Sequence, residues 1–174
     1  MDKFKNIEYL QQGNPKQQLV FALLNEFKII EILKNYNPLV IGTIPIEIDL
    51  PESDVDIILE TDNFNELEKF LTIEFHHFQN FTIQQRIDED KTILVCNFII
   101  DKVPFEIYAE NKPTYLQNGF LHMIKEYEIL RKFGNDFKNQ IIQLKKEGFK
   151  TEPAFAKLLN LHGNPYIELL HCKV

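Results

Sequence analysis

Two aspartates, Asp54 and Asp56, stand two residues apart in Ser53-Asp54-Val55-Asp56-Ile57-Ile58-Leu59. Side chains of a strand alternate between faces, so both carboxylates point the same way, roughly 7 Å apart. Val55 and Ile57 point to the opposite, apolar side. Two such carboxylates repel by an amount on the order of a few kcal/mol in a protein setting. A hard divalent cation removes that penalty, and Mg²⁺ is the natural choice (Mn²⁺ the alternative), because it combines one or two carboxylates with water and phosphate oxygens. A third acid, Glu106, lies between apolar Phe105 and Ile107. If its strand pairs beside the first, the backbones are about 4.8 Å apart and Glu106 completes a three-carboxylate group. Such a group holds one or two metals that act on an attacking hydroxyl and on a triphosphate. Taken alone, Glu106 fits an exposed strand position equally well, and only the pairing decides.

Upstream, Leu39-Val40-Ile41 runs into Gly42-Thr43. Glycine lets backbone approach a ligand closely, and a neighbouring hydroxyl with free N–H groups suits phosphate oxygens. Ser53 offers a further hydroxyl, either to its own turn or to a substrate. Lys145, Lys146 and Lys150 form a basic cluster. They suit the end of a helix, and Lys150 is assigned to the triphosphate as a secondary role.

These residues need a sheet to position them. Asn14-Pro15-Lys16-Gln17 has the capping-box and first-turn-proline pattern of a helix start. Apolar residues from Leu19 to Ile30 then predict a helix running to about Lys34. Leu39 to Ile41 reads as a short buried strand and Asp54 to Leu59 as a second. The segment with Pro45 and Pro51 between them is a poor central strand. Asn63 opens a helix carrying Leu67, Phe70 and Leu71. Strands are predicted over Phe81 to Ile87, Thr92 to Ile100 and Val103 to Ala109. Asp101-Lys102 makes the last turn, without the favoured glycine. Beyond Pro113 the pattern is helical, with a core stripe of Phe120, Met123, Ile124, Tyr127 and Leu130. Gly134 and Gly148 are read as helix-ending. Thr151-Glu152-Pro153 opens another helix, and Gly163-Asn164-Pro165 precedes a last one. The order predicts an α+β fold, a mixed sheet with helices on one face. The expected organisation is a core over residues 1–112 and a helical region over 113–174, packed as one unit.

Gly42-Thr43, ten residues, then Asp54-Val55-Asp56-Ile57 resembles the signature of the polymerase-β-like nucleotidyltransferases. Thr43 replaces the usual serine and keeps its hydroxyl. The resemblance implies metal ligation by Asp54, Asp56 and Glu106, and phosphate binding at Gly42 and Thr43. It implies a nucleoside triphosphate as donor and an acceptor that the sequence does not identify. More closely, the chain resembles a family of bacterial proteins grouped as a domain of unknown function. Glu8-Tyr9-Leu10-Gln11-Gln12-Gly13-Asn14, Gly42-Thr43-Ile44-Pro45-Ile46, Ser53-Asp54-Val55-Asp56 and Lys150-Thr151-Glu152-Pro153-Ala154-Phe155-Ala156 carry that resemblance. Small stand-alone members of the superfamily also occur in toxin–antitoxin pairs, so a non-catalytic nucleotide- or partner-binding module is the competing expectation.

Composition narrows the partners. The 174 residues carry a formal charge of −7 and only two arginines, Arg86 and Arg131. Polynucleotide binding draws on clustered cations, so a polynucleotide is disfavoured as a partner, as is an anionic membrane surface. A homodimer is compatible with the sequence. No apolar run resembles a signal peptide or a membrane span. Cys96 and Cys172 lack metal-type spacing and read as reduced thiols of a cytoplasmic protein. His76-His77 lacks a partner at ligand spacing, and His122 reads as a satisfied helix histidine. A nucleophile elbow, a phosphate loop with Gly-Lys-Ser/Thr and a His-Glu-x-x-His helix are all missing. Tyr108 stands where a carboxylate-metal nuclease would carry lysine.

Overall fold

A computed structural model describes residues 2–88 and 91–173; the outermost residues of the two expected segments, 1 and 174, lie outside the described residues. After a 3₁₀ turn at Asp2–Lys5 come α1 (Glu8–Gln11), α2 (Pro15–Glu26) and α3 (Ile29–Leu33). β1 (Leu39–Ile41) and β2 (Val55–Glu60) follow, then α4 (Phe64–Phe75) and the strands β3 (Gln79–Asp88), β4 (Lys91–Ile100) and β5 (Val103–Glu110). The chain ends in α5 (Asn118–Lys146), α6 (Thr151–Leu158) and α7 (Pro165–His171). None of the described helices is long and apolar enough to cross a membrane.

The five strands form one mixed sheet in the order β1-β2-β5-β4-β3. Only β2 and β5 are parallel. The β4–β5 hairpin turns at Asp101 and Lys102 with φ of 47° and 67°, so two non-glycine residues adopt the left-handed turn that twisted antiparallel strands require.

Strand alternation sorts the core. Val55, Ile57 and Leu59 of β2, Phe105, Ile107 and Ala109 of β5 and Leu94, Cys96 and Phe98 of β4 share one face with α2, α3 and α4. Phe98 stacks on Phe75 and on Phe105 there, with centroids 5.0 and 5.3 Å apart. The opposite face carries Ile41 and Ile58, which join a second apolar cluster with Phe120, Met123, Ile129 and Phe155 of α5 and α6. Helices therefore cover both faces, not the single face expected. The reason is that the C-terminal stripe needs apolar sheet surface of its own. On the acid-bearing side Ile41 of β1 and Ile58 of β2 provide it, with Tyr108 of β5 packed beside them. Gly119 shows how close this packing is, since a Cβ there would lie 2.6 Å from Cδ1 of Ile41.

One helix expectation changes. The first helix stops at Glu26, because Lys28 takes a left-handed conformation (φ 51°) before α3 begins. Asn14 and Gln17 make the expected capping box. Gly134 ends a helical stretch, as expected. It breaks the helical path inside α5 with φ 77° and ψ −166°, and the chain resumes helix on the far side.

Candidate functional site

The register of β2 and β5 decides the fate of the three acids. Asp56 and Glu106 are Cα partners on adjacent parallel strands. Asp54 immediately precedes β2. With apolar Val55, Ile57, Phe105 and Ile107 turned to the core, Asp54, Asp56 and Glu106 share the other face. Asp54 is exposed, whereas Asp56 and Glu106 are half-buried.

Burial first, then the charges of Asp54 and Glu106, pushes the Asp56 carboxyl up to about 8. Burial, with help from Asp54, also raises Glu106, and Arg86 opposes that shift. The causes are those of like charges gathered in a poorly solvated place. Among the described residues, Lys145 is the cation that acts on Asp56. A hard divalent ion fits this donor set, because all three groups offer oxygen and their mutual repulsion is what such an ion removes.

Gly42 belongs to the same group. Ile41 pairs with Asp56 across β1 and β2, and Gly42 follows with φ +83°. A Cβ at Gly42 would lie 2.0 Å from Oδ2 of Asp56. The turn therefore needs glycine twice, for its backbone angle and for room beside the carboxylate. Residues 42–53 are then folded back. Ile48 N–H donates to the Thr43 carbonyl at 3.1 Å, and Ile44, Ile46 and Ile48 are buried. Buried Gln17 donates to the carbonyls of Ile44 and Pro45 at 2.8 and 3.2 Å, which ties the segment to α2. The Thr43 and Ser53 hydroxyls meet at 3.5 Å. Ser53 Oγ accepts from Leu50 N–H at 2.9 Å, so its hydroxyl serves its own turn.

The lysines separate by position. Lys150 is exposed as the residue that caps α6 and does not figure among the charges acting on the acids. Lys145 is half-buried and donates from Nζ to the Ile48 carbonyl at 2.6 Å. Burial lowers its basicity, while Glu126, Asp49, Asp56 and Glu152 act to restore it. Asp49, missed in the sequence, sits on the same folded segment with its carboxyl raised by burial. Its signal was weak: one of three acids, with Glu47 and Glu52, in a run of isoleucines and prolines.

A cleft of about 210 Å³ opens beside the acids, lined by Asp56, Glu106, Ile41, Tyr108, Asn118 and Lys91. Lys91 pairs there with buried Glu110. Larger clefts lie at the far end of β2 around Glu60 and Pro113, away from the acids. On the β3–β4 side, Thr82, Gln84 and Arg86 are exposed, and Thr82 and Asn97 continue the row of Asp56 and Glu106 across the sheet. The acid face is thus roofed by helices at one end and open at the other.

An α+β chain with this sheet and these acids has the fold of the polymerase-β-like nucleotidyltransferases. The Cid1 poly(U) polymerase with MgGTP bound superposes with a TM-score of 0.54 at 12% identity, over 83% of this chain and 44% of that one. A cytoplasmic RNA terminal U-transferase gives 0.54 at 13% identity, over 76% and 41%. The polymerase core of TRAMP, an RNA surveillance complex, gives 0.51 at 12% identity, over 90% and 49%. The chain thus spans less than half the length of each of these structures. At this identity the likeness establishes the fold. No curated protein matches the chain by sequence. Residues 22–172 match the family described as Domain of unknown function (DUF4269), and the chain belongs to that family.

Proposed function

We propose that the protein is a metal-dependent nucleotidyltransferase that moves a nucleotidyl group from a nucleoside triphosphate to an acceptor hydroxyl, phosphate or protein side chain. The observation that carries this reading is the pairing of Asp56 with Glu106 across parallel strands, with Asp54 two residues before and the Gly42 turn against Asp56. Asp54, Asp56 and Glu106 would hold Mg²⁺ or Mn²⁺. The ion supplies charge for the triphosphate and lowers the cost of generating the attacking oxygen.

The chain's own residues orient the reaction. Gly42 and Thr43 present the turn that receives phosphate oxygens. Glu106, whose carboxyl is raised above its ordinary range, is the group suited to take the proton of an acceptor hydroxyl. That oxygen attacks the α-phosphorus, the bond to the bridging oxygen breaks, and pyrophosphate leaves. Lys145 fixes the folded segment through Ile48 and offsets the charge of Asp56. Lys150, exposed nearby in sequence, is left with an outer role on the triphosphate. The open sheet end around Thr82, Arg86 and Asn97 is where an acceptor would lie. With a formal charge of −7, a small molecule or a protein suits that place better than a polynucleotide, and the free thiols of Cys96 and Cys172 suit the cytoplasm.

The test is label transfer from α-labelled nucleotides with Mg²⁺ or Mn²⁺, beside thermal shifts with the four triphosphates. Metal-dependent transfer lowered about 10²–10³-fold in Asp54→Asn, the scale of lost transition-state electrostatics, is the expected result. Full activity in Asp54→Asn would overturn the mechanism. Nucleotide-dependent stabilisation without turnover would mark a binding module.

A further inference from the structure

His122 and Glu126 are one helical turn apart on α5, and both are buried, with 8% and 4% of their surface exposed. Glu152, in the first turn of α6, faces them. One potential ligand atom from each of the three lies within 4.8 Å of the others. Nδ1 of His122 is buried without a hydrogen-bond partner. Burial first, then the charge of Glu152, raises the Glu126 carboxyl well above its usual range. Lys145 is the cation that acts on both glutamates, yet among the described residues it forms no ion pair with either. A buried imidazole and a buried carboxyl, both directed at a second carboxyl, cost stability unless something joins them.

We propose that His122, Glu126 and Glu152 bind a divalent cation that accepts imidazole nitrogen beside carboxylate oxygen, Zn²⁺ or Mn²⁺, at a site separate from Asp54, Asp56 and Glu106. One imidazole nitrogen with two carboxylates selects such an ion over Mg²⁺ or Ca²⁺, which take oxygen alone. Three protein ligands leave the remaining position to water. The spacing suits the role, since residues four apart on a helix present neighbouring side chains and the third ligand comes from a different helix. The ion would fasten α6 to α5, with the ring of Tyr166 of α7 edge-on to His122 at 6.2 Å. It would also neutralise the glutamates that act on Lys145, leaving that lysine to the segment carrying Asp49 and to Asp56.

The experiment uses the full chain carrying Asp54→Asn and Asp56→Asn, which disables the strand site. After stripping with chelator, the protein is equilibrated with Zn²⁺, Mn²⁺ or Mg²⁺, desalted, and assayed for retained metal and melting temperature. The expected result is close to one equivalent of Zn²⁺ or Mn²⁺ with a rise in melting temperature, and neither effect with Mg²⁺. Adding His122→Gln and Glu152→Gln abolishes both. Glu152→Gln alone, at a half-buried position, lowers affinity at least tenfold while the metal-free protein melts no lower than its parent, because a repelling carboxylate has gone. Retention of the metal by the variants, an equal response to Mg²⁺, or no metal bound by the Asp54→Asn/Asp56→Asn parent would overturn the proposal.

Discussion

Asp54, Asp56 and Glu106 gather on strands, and His122, Glu126 and Glu152 gather on helices. In the first group the sheet does the work. Two carboxylates come from a two-residue repeat, the third from one rung of a parallel ladder, and the group stays partly open beside a cleft. In the second, a helical turn supplies two groups and the packing of a following helix supplies the third, with His122 and Glu126 buried and Glu152 half-buried. Open oxygens suit an ion that must exchange water for phosphate. A more deeply buried imidazole–carboxylate set suits an ion that stays. Lys145 stands between them and acts on acids of both.

The largest effect that would sharpen this contrast comes from Gly42→Ala. The substitution forces φ +83° on a residue with a Cβ and drives that Cβ onto Asp56. It should cost about 2–3 kcal/mol by the scale for strained backbone, read as a lower urea midpoint. Transfer activity should fall with it while retention of Zn²⁺ or Mn²⁺ by the helices survives.

A smaller effect follows from Asp56. Its carboxyl titrates near 8 when folded against an ordinary 3.8, so between those values the folded state binds more protons than the unfolded state. Stability therefore falls as pH rises from about 4 to about 8. Burial contributes most to this, Asp54 and Glu106 raise the carboxyl further, and Lys145 lowers it. Melting curves of metal-free protein should decline by several degrees over that range, and Asp56→Asn should flatten the decline. Mg²⁺ or Mn²⁺ should reverse it at the alkaline end, because the ion competes with the proton. An unchanged slope in Asp56→Asn would remove Asp56 from the account.

Two further substitutions distinguish the lysines. Lys150→Met, at an exposed position, should change stability by no more than about 0.5 kcal/mol. Lys145→Met removes the donor to Ile48 and the counter-charge of Asp56. It should cost about 1–3 kcal/mol and move the pH decline to higher pH. Equal behaviour of the two variants in denaturant would deny Lys145 its bridging place.

The strand group was legible because its signal is local. Alternation in Asp54-Val55-Asp56 and in Phe105-Glu106-Ile107 sets faces without knowledge of the fold, and only the β2–β5 register had to be supplied by the structure. The helix group was half legible. His122 and Glu126 have helical spacing, but Glu126 lies within the apolar stripe from Phe120 to Leu130, and nothing local announces that Glu152 returns to it. Covering of the acid face by α5 was hidden for the same reason, since a stripe shows that a helix is buried and not against which side of a sheet. The break at Lys28 escaped notice because a lysine in the left-handed region carries no signature.

The most direct test of the strand site is a crystal grown with Mn²⁺ and a non-hydrolysable triphosphate, measured for anomalous scattering. The account predicts a manganese peak among Asp54, Asp56 and Glu106, with the triphosphate lying against Gly42 and Thr43. Manganese found only at His122, Glu126 and Glu152, with nucleotide bound elsewhere or absent, would contradict it.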